Sequence, residues 1–379
     1  MRHMIRVAVI LAGCFLCMVC TARTCHADTT LPPDISGTLR DADFVIPEEV
    51  QEPAAALGIS AEEPESLLSL SPSDFLRSFN GTLVQELRAP VVLLTGLMSL
   101  TLLSSLLGGL GDTVADSGMR RLVGMLCAMI CTAGAAAPLC TCLQRTAAAL
   151  ENGQAFMLSF VPVFSAFLAA GGQVASGATY QLFILFLTET MMHLTNRLLF
   201  PLLQMSAAIG IADAVNPELR LGSFVSGFRS AVKWMLGTFM TLFSALLSIR
   251  SFVSVSADSL AAKSVKLLSS SLIPIVGGAV SDAYGTVQGS IRLVRSGTGA
   301  FGIFILLWMV LPPLLSLMLY RAVFGISGMF AEIAGTKTLS ALFRNIQSVL
   351  AAAFAMLICF SMMLIFSCAV LLLLTGGAS

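Results

Sequence analysis

The sequence predicts an all-α, polytopic helical membrane protein, and three observations carry that expectation. Hydrophobic residues make up 56% of the 379 and charged residues only 11%, with a mean hydropathy of +0.90. A soluble domain carries about 25% charged residues, so several soluble domains and a disordered chain are both excluded. The apolar residues gather into long stretches, as bilayer-crossing helices require. The chain also opens with the basic, apolar, small-residue pattern of a secretory leader.

Residues 1–27 read as a signal peptide. Arg2 and Arg6 flank a short basic start, Val7 to Cys20 is apolar, and Cys25-His26-Ala27 offers small residues for a cut after Ala27. An uncleaved signal anchor is one alternative. A lipoprotein box at Leu11-Ala12-Gly13-Cys14 is another, although the apolar run before Cys14 is short. Each option puts the chain after residue 28 outside the cytoplasm.

Residues 28–90 form an acidic extracytoplasmic region. They hold 12 acidic and 3 basic side chains, net −9, whereas residues 91–379 hold 9 acidic and 15 basic, net +6. Nucleic-acid binding wants clustered Lys and Arg, so this front end argues against it. Pro32, Pro33, Pro47, Pro53 and Pro64 punctuate its first half as an extended linker. Ser71-Pro72-Ser73 then starts a helix on which Phe75, Phe79, Leu83 and Leu87 recur every four residues. That face suits either the bilayer surface or a partner protein.

Residues 91–150 supply the first two transmembrane helices, Val91–Leu107 and Leu122–Cys142, with Arg120-Arg121 between them on the inside. Phe156–Ala170, residues 180–211, Met235–Leu247, Phe301–Leu319 and Val349–Leu374 make seven spans, within a range of five to eight. The stretch 180–211 would run about 48 Å as one helix and must tilt, kink at Pro201 or leave the membrane. Seven spans put the basic stretch 251–298 in the cytoplasm.

Residues 151–260 and 261–379 suggest an internal repeat of broken and amphipathic helices. Ser159-Phe160-Val161-Pro162-Val163 matches Ser271-Leu272-Ile273-Pro274-Ile275 at an offset of 112, and Pro201-Leu202-Leu203 matches Pro313-Leu314-Leu315. Phe228-Arg229 matches Phe343-Arg344 at an offset of 115. Pro- or Gly-interrupted segments at matching places point to a pathway in transporters built from repeats. The candidates for pathway or hinge are Pro162 with Gly171-Gly172, Pro201, Pro274 with Gly277-Gly278 and Asp282, and Pro313. The plainer alternative is that these prolines only kink packed helices.

Glu189, His193 and Arg197 are spaced four apart and would share one helix face at membrane depth, pairing with one another. They are candidates for a polar ladder, structural or lining a conduit. His3 and His26 fall in the leader, which leaves His193, so a His-based zinc site or a Ser-His-Asp triad is not expected. Four of ten Cys lie in the leader and the other six in apolar segments. No phosphate-binding glycine motif occurs. No cofactor or metal is expected, and an enzyme is the least supported class.

The motif Ser271-Leu272-Ile273-Pro274-Ile275-Val276-Gly277, followed by Ser281-Asp282-Ala283, resembles the central motif of the stage III sporulation protein AE family. The similarity extends to Val161-Pro162 with Gly171-Gly172, to Pro201-Leu202 with Ile209-Gly210-Ile211, and to the closing span. The resemblance implies a role in endospore formation, in the mother-cell membrane that surrounds the forespore. It implies partners among the other stage III sporulation A-operon proteins and in the forespore membrane, together building a secretion-like channel. Membrane lipid and an oligomeric state are expected as well. A self-contained secondary transporter is the other class, which the repeat would suit.

The leader and Arg120-Arg121 fix an orientation that can be tested. A cysteine at Ser36 should react with an impermeant thiol reagent in intact cells, and one at Ser117 should not. Labelling at Ser117 would sink it.

Overall fold

The computed structural model describes residues 72–114, 117–170, 174–215, 221–245 and 277–376. The leader, the arm before Pro72, Gly171, Gly172 and Pro274 lie outside the described residues. Every described segment is helical: α1 (Pro72–Val114), α2 (Ser117–Ala170), α3 (Val174–Leu194), a π turn (Thr195–Leu199), α4 (Phe200–Val215), α5 (222–245), α6 (Gly277–Ile333) and α7 (Lys337–Gly376). Five stretches are long and apolar enough to cross a bilayer: Glu86–Leu107, Gly124–Ala166, Gly177–Ala214, Phe301–Ile333 and Lys337–Ala369. The chain is a multi-pass membrane protein.

Two expected boundaries are absent. α1 begins at Pro72, where a first-turn proline costs nothing because its N–H would be unpaired anyway. It then passes through the buried Pro90 without ending. The Phe75–Leu87 segment and the first span are therefore one helix. Likewise, Leu122–Cys142 and Phe156–Ala170 lie on the single 54-residue α2, about 81 Å long if straight. The polar residues between them separate two expected spans in the sequence. They instead stay helical and bond to neighbouring helices.

Arg145 is the clearest case. Its Nη1 donates to Glu86 Oε1 and Oε2 at 2.8 and 2.9 Å and lies 3.3 Å from Ser316 Oγ. Ser316 in turn donates to Glu86 Oε2 at 2.7 Å. α1, α2 and α6 are thus pinned together at one level by a charge pair and a hydroxyl.

The helices alternate in direction. Ser105, near the end of α1, donates to Ala334 O at 2.9 Å in the α6–α7 turn, and Gly124 on α2 faces Thr338. At the other end, Tyr180 at the start of α3 donates to Ser367 O on α7 at 2.9 Å, and Phe160 on α2 packs on Gly302. A Cβ on Gly302 would meet the Phe160 ring at 2.5 Å, so only glycine lets α2 and α6 approach this closely there. α7 packs along α6, and also against α2 and α4. α5 starts beside Asp213 and Asn345, near the Ala334 end, and buries Val232, Leu236 and Phe243 in the core. It has room to run only away from that end.

The α6–α7 connection is short and held by backbone bonds. Gly335 sits at φ 74°, a left-handed conformation that suits glycine. Gly335 N–H reaches Glu332 O at 3.2 Å and Thr336 N–H reaches Ala331 O at 3.0 Å, which satisfies the last carbonyls of α6.

The contacts of α6 with α1, Ser316 with Glu86 and Ala334 with Ser105, put the start of α6 at the same end as Pro72, opposite Arg120-Arg121. This stands against the expected cytoplasmic placement for residues 277–298, while residues 251–276 lie outside the described residues. The end of α7 also stands at the Pro72 end.

An epitope fused after Ser379 should therefore be accessible from outside in intact cells; a hidden epitope would overturn this placement. Arg145→Gln should lower the melting temperature of the detergent-solubilised protein. Combined with Glu86→Gln it should show a coupling of about 1 kcal/mol in a double-mutant cycle. Strictly additive effects would remove the pair from the list of helix contacts.

Candidate functional site

The α2–α3 hairpin builds an open, mostly apolar groove that carries two ionisable side chains. Its two helices approach closely at Gly177, where a Cβ would lie 2.8 Å from Ser165 O. The Ser165 hydroxyl is 2.8 Å from both Pro162 O and Gln181 Oε1. Two to three turns lower, Gln154 Nε2 donates to Glu189 Oε2 at 2.6 Å, and His193 Nε2 lies 3.3 Å from Glu189 Oε1. Glu189 and His193 are both half exposed or more, and they face an open groove of about 440 Å³ with Leu158, Leu185, Phe186 and Thr190. A carboxylate, an imidazole and an amide on one apolar wall can bind a polar group or pass a proton.

Arg197 does not join this pair. It is exposed, and among the described residues it makes no ion pair. The reason is local: Arg197 sits inside the π turn, where Phe200 N–H bonds to Thr195 O. That wider turn takes Arg197 off the face that regular i, i+4 spacing would give it. The turn abuts Pro201, whose missing N–H leaves the Arg197 carbonyl without its helical donor. The break in the 180–211 stretch is thus a π turn just before Pro201, and the helix continues to Val215.

The other sequence candidates are placed as follows. Pro162 is half-buried inside α2 and Pro313 is buried inside α6, and both helices run through them. Pro201 is exposed. Gly277 and Gly278 open α6, with Asp282 in its second turn. Leu87 is half-buried on α1; Phe75, Phe79 and Leu83 lie on the same helix, with side chains outside those described. The match of Pro162 with Pro274 lies outside the described residues.

Sequence reasoning missed two polar contacts. One is the Glu86–Arg145–Ser316 cluster. The other joins α4, α5 and α7: Asn345 Nδ2 donates to Gly210 O at 2.7 Å, and Arg229 Nη2 lies 3.4 Å from Asn345 Oδ1. A Cβ on Gly210 would stand 3.4 Å from Asn345 Cβ. Lone ionisable or amide side chains in apolar helices were the available signal, since each needs a partner. Among the described residues no three His, Cys, Asp or Glu side chains group as metal ligands.

Comparison with known proteins bears on these helices as a set. A family model described as stage III sporulation protein AE matches residues 64–375. The stage III sporulation protein AE of Bacillus subtilis (strain 168) is 24% identical over 245 residues, covering 65% of this chain and 61% of that protein. The chain therefore matches less than two thirds of that relative's length. No solved structure matches it. With the family model running from before α1 nearly to the end of α7, the chain belongs to the stage III sporulation protein AE family.

Proposed function

We propose that this protein is an integral membrane subunit of a sporulation-specific, secretion-like channel complex between mother cell and forespore, required for forespore development. The observation that carries this reading is the family match over 64–375, which takes in every described helix but the last residue of α7. The multi-pass bundle supports a membrane role, and the acidic arm, net −9 over residues 28–90, supports a docking role outside the cytoplasm. Its partners are the other stage III sporulation A-operon proteins and a protein of the forespore membrane. The membrane concerned is the mother-cell membrane around the forespore.

A self-contained transporter is the second reading, and one observation favours it. α5 starts at residue 222 and α7 at Lys337, a separation of 337 − 222 = 115, the offset at which Arg229 matches Arg344. A duplicated helical unit is common among transporters.

Purification of the tagged chain from sporulating cells distinguishes the two. The channel reading expects the A-operon proteins to co-purify; recovery of the chain alone, at normal membrane level, favours the transporter. The proline at 274 gives a residue-level test. A proline in a helix interior costs about 3 kcal/mol, and its freed backbone groups need protein or water. Pro274→Ala should leave the protein inserted but reduce heat-resistant spore counts, with a milder effect for Pro312→Ala, where Pro313 remains. Normal spore yield at normal protein level would make Pro274 a packing residue only.

A further inference from the structure

We propose that the bilayer wraps only the half of the bundle around the Ala334 end, and that the other half stands above the membrane as a self-packed helical body. α1 is the ruler. Its apolar stretch Glu86–Leu107 has 22 residues, about 33 Å of helix, which matches one hydrocarbon core of about 30 Å. Both ends of that stretch are tied to other helices. At the lower end Ser105 bonds to Ala334 O. At the upper end Glu86 bonds to Arg145 and Ser316.

These ties transfer the membrane level to α2 and α6. The hydrocarbon slab covers about Gly124 to Arg145 on α2 and about Ser316 to Ala334 on α6. Yet the apolar stretches of α2 and α6 continue to Ala166 and back to Phe301, 43 and 33 residues in all. Straight, these run about 64 and 50 Å, far more than one bilayer. The surplus is above Arg145 and Ser316, where Gly153 meets Phe360 and Leu364, and Phe160 meets Gly302.

Within the slab, α1 and α2 present Val92, Leu103, Leu106, Leu126 and Met129 outward, and above it α3 also exposes Leu182 and Phe186. The burial of α6 is what separates the two halves. Above the slab, α6 buries Ile305, Leu306, Trp308 and Met309 in the core. The pair of half-exposed Arg145 with the more buried Glu86 then sits at the headgroup level, where an ion pair is tolerated. Arg197 falls near the same level, and the Glu189–His193 groove above it, in contact with water or protein.

The two tryptophans report on the two halves. Trp234 is 72% exposed on α5 and Trp308 is 3% exposed on α6. Counted from the Arg229–Asn345 contact, Trp234 stands about 20 Å above the Ala334 turn, inside the slab.

Fluorescence quenching by phospholipids brominated on their acyl chains tests the placement in proteoliposomes. With Trp308→Phe, Trp234 should lose much of its emission. In a Trp234→Phe, Trp308→Phe background, Leu103→Trp should be quenched and Leu182→Trp should not. Both positions are exposed, at 51% and 73%, so tryptophan fits without repacking. Quenching of Leu182→Trp as strong as that of Leu103→Trp, or an unquenched Trp234, would overturn the proposal.

Discussion

The contact of Arg145 with Glu86 and Ser316 sets the relative register of three helices, and the rest of the bundle is built around that level. An ionised side chain in an apolar helix is costly unless paired. Here a single carboxylate answers both a guanidinium and a hydroxyl, so α1, α2 and α6 cannot slide past one another without breaking bonds of this cluster. The contact also explains why α2 does not turn at the polar stretch after Cys142. The polar residues there are occupied by neighbouring helices, and a turn would remove them.

The second constraint is the backbone. In lipid every N–H and C=O must be bonded within the protein, and this chain carries five prolines inside its three longest-spaced apolar helices: Pro90, Pro138, Pro162, Pro312 and Pro313. None ends a helix. Where the strain is relieved locally the device is visible: a π turn before Pro201, and the Ser165 hydroxyl at the Pro162 carbonyl. The left-handed Gly335 closes a short turn in which the carbonyls of Phe330, Ala331 and Glu332 find donors.

Polar side chains take the remaining work of aligning apolar helices. Asn345 holds the Gly210 carbonyl and meets Arg229, so α4, α5 and α7 share a contact near the Ala334 end. Gln154 and His193 gather on Glu189 across the α2–α3 hairpin. Two of these contacts hold helices that are far apart in sequence, and one faces an open groove. Their chemistry is alike; their exposure separates a structural seam from a candidate site.

The helical membrane class and the family were legible in the sequence, because both rest on local quantities: mean hydropathy, long apolar stretches, and short motifs in fixed order around Pro162, Pro201 and Pro274. The i, i+4 spacing that pairs Glu189 with His193 was legible for the same reason. Arg197 was misread because one π turn, which no composition signals, changes the helix phase. The continuity of α2 was not legible, because a polar interruption looks the same whether it turns or binds. Only the tertiary structure decides that, since the partner that makes Arg145 tolerable in a continuous helix, Glu86, lies 59 residues away in the chain. Pairing energy between distant residues leaves no local trace, and it is what set the number of passes and the side on which α6 begins.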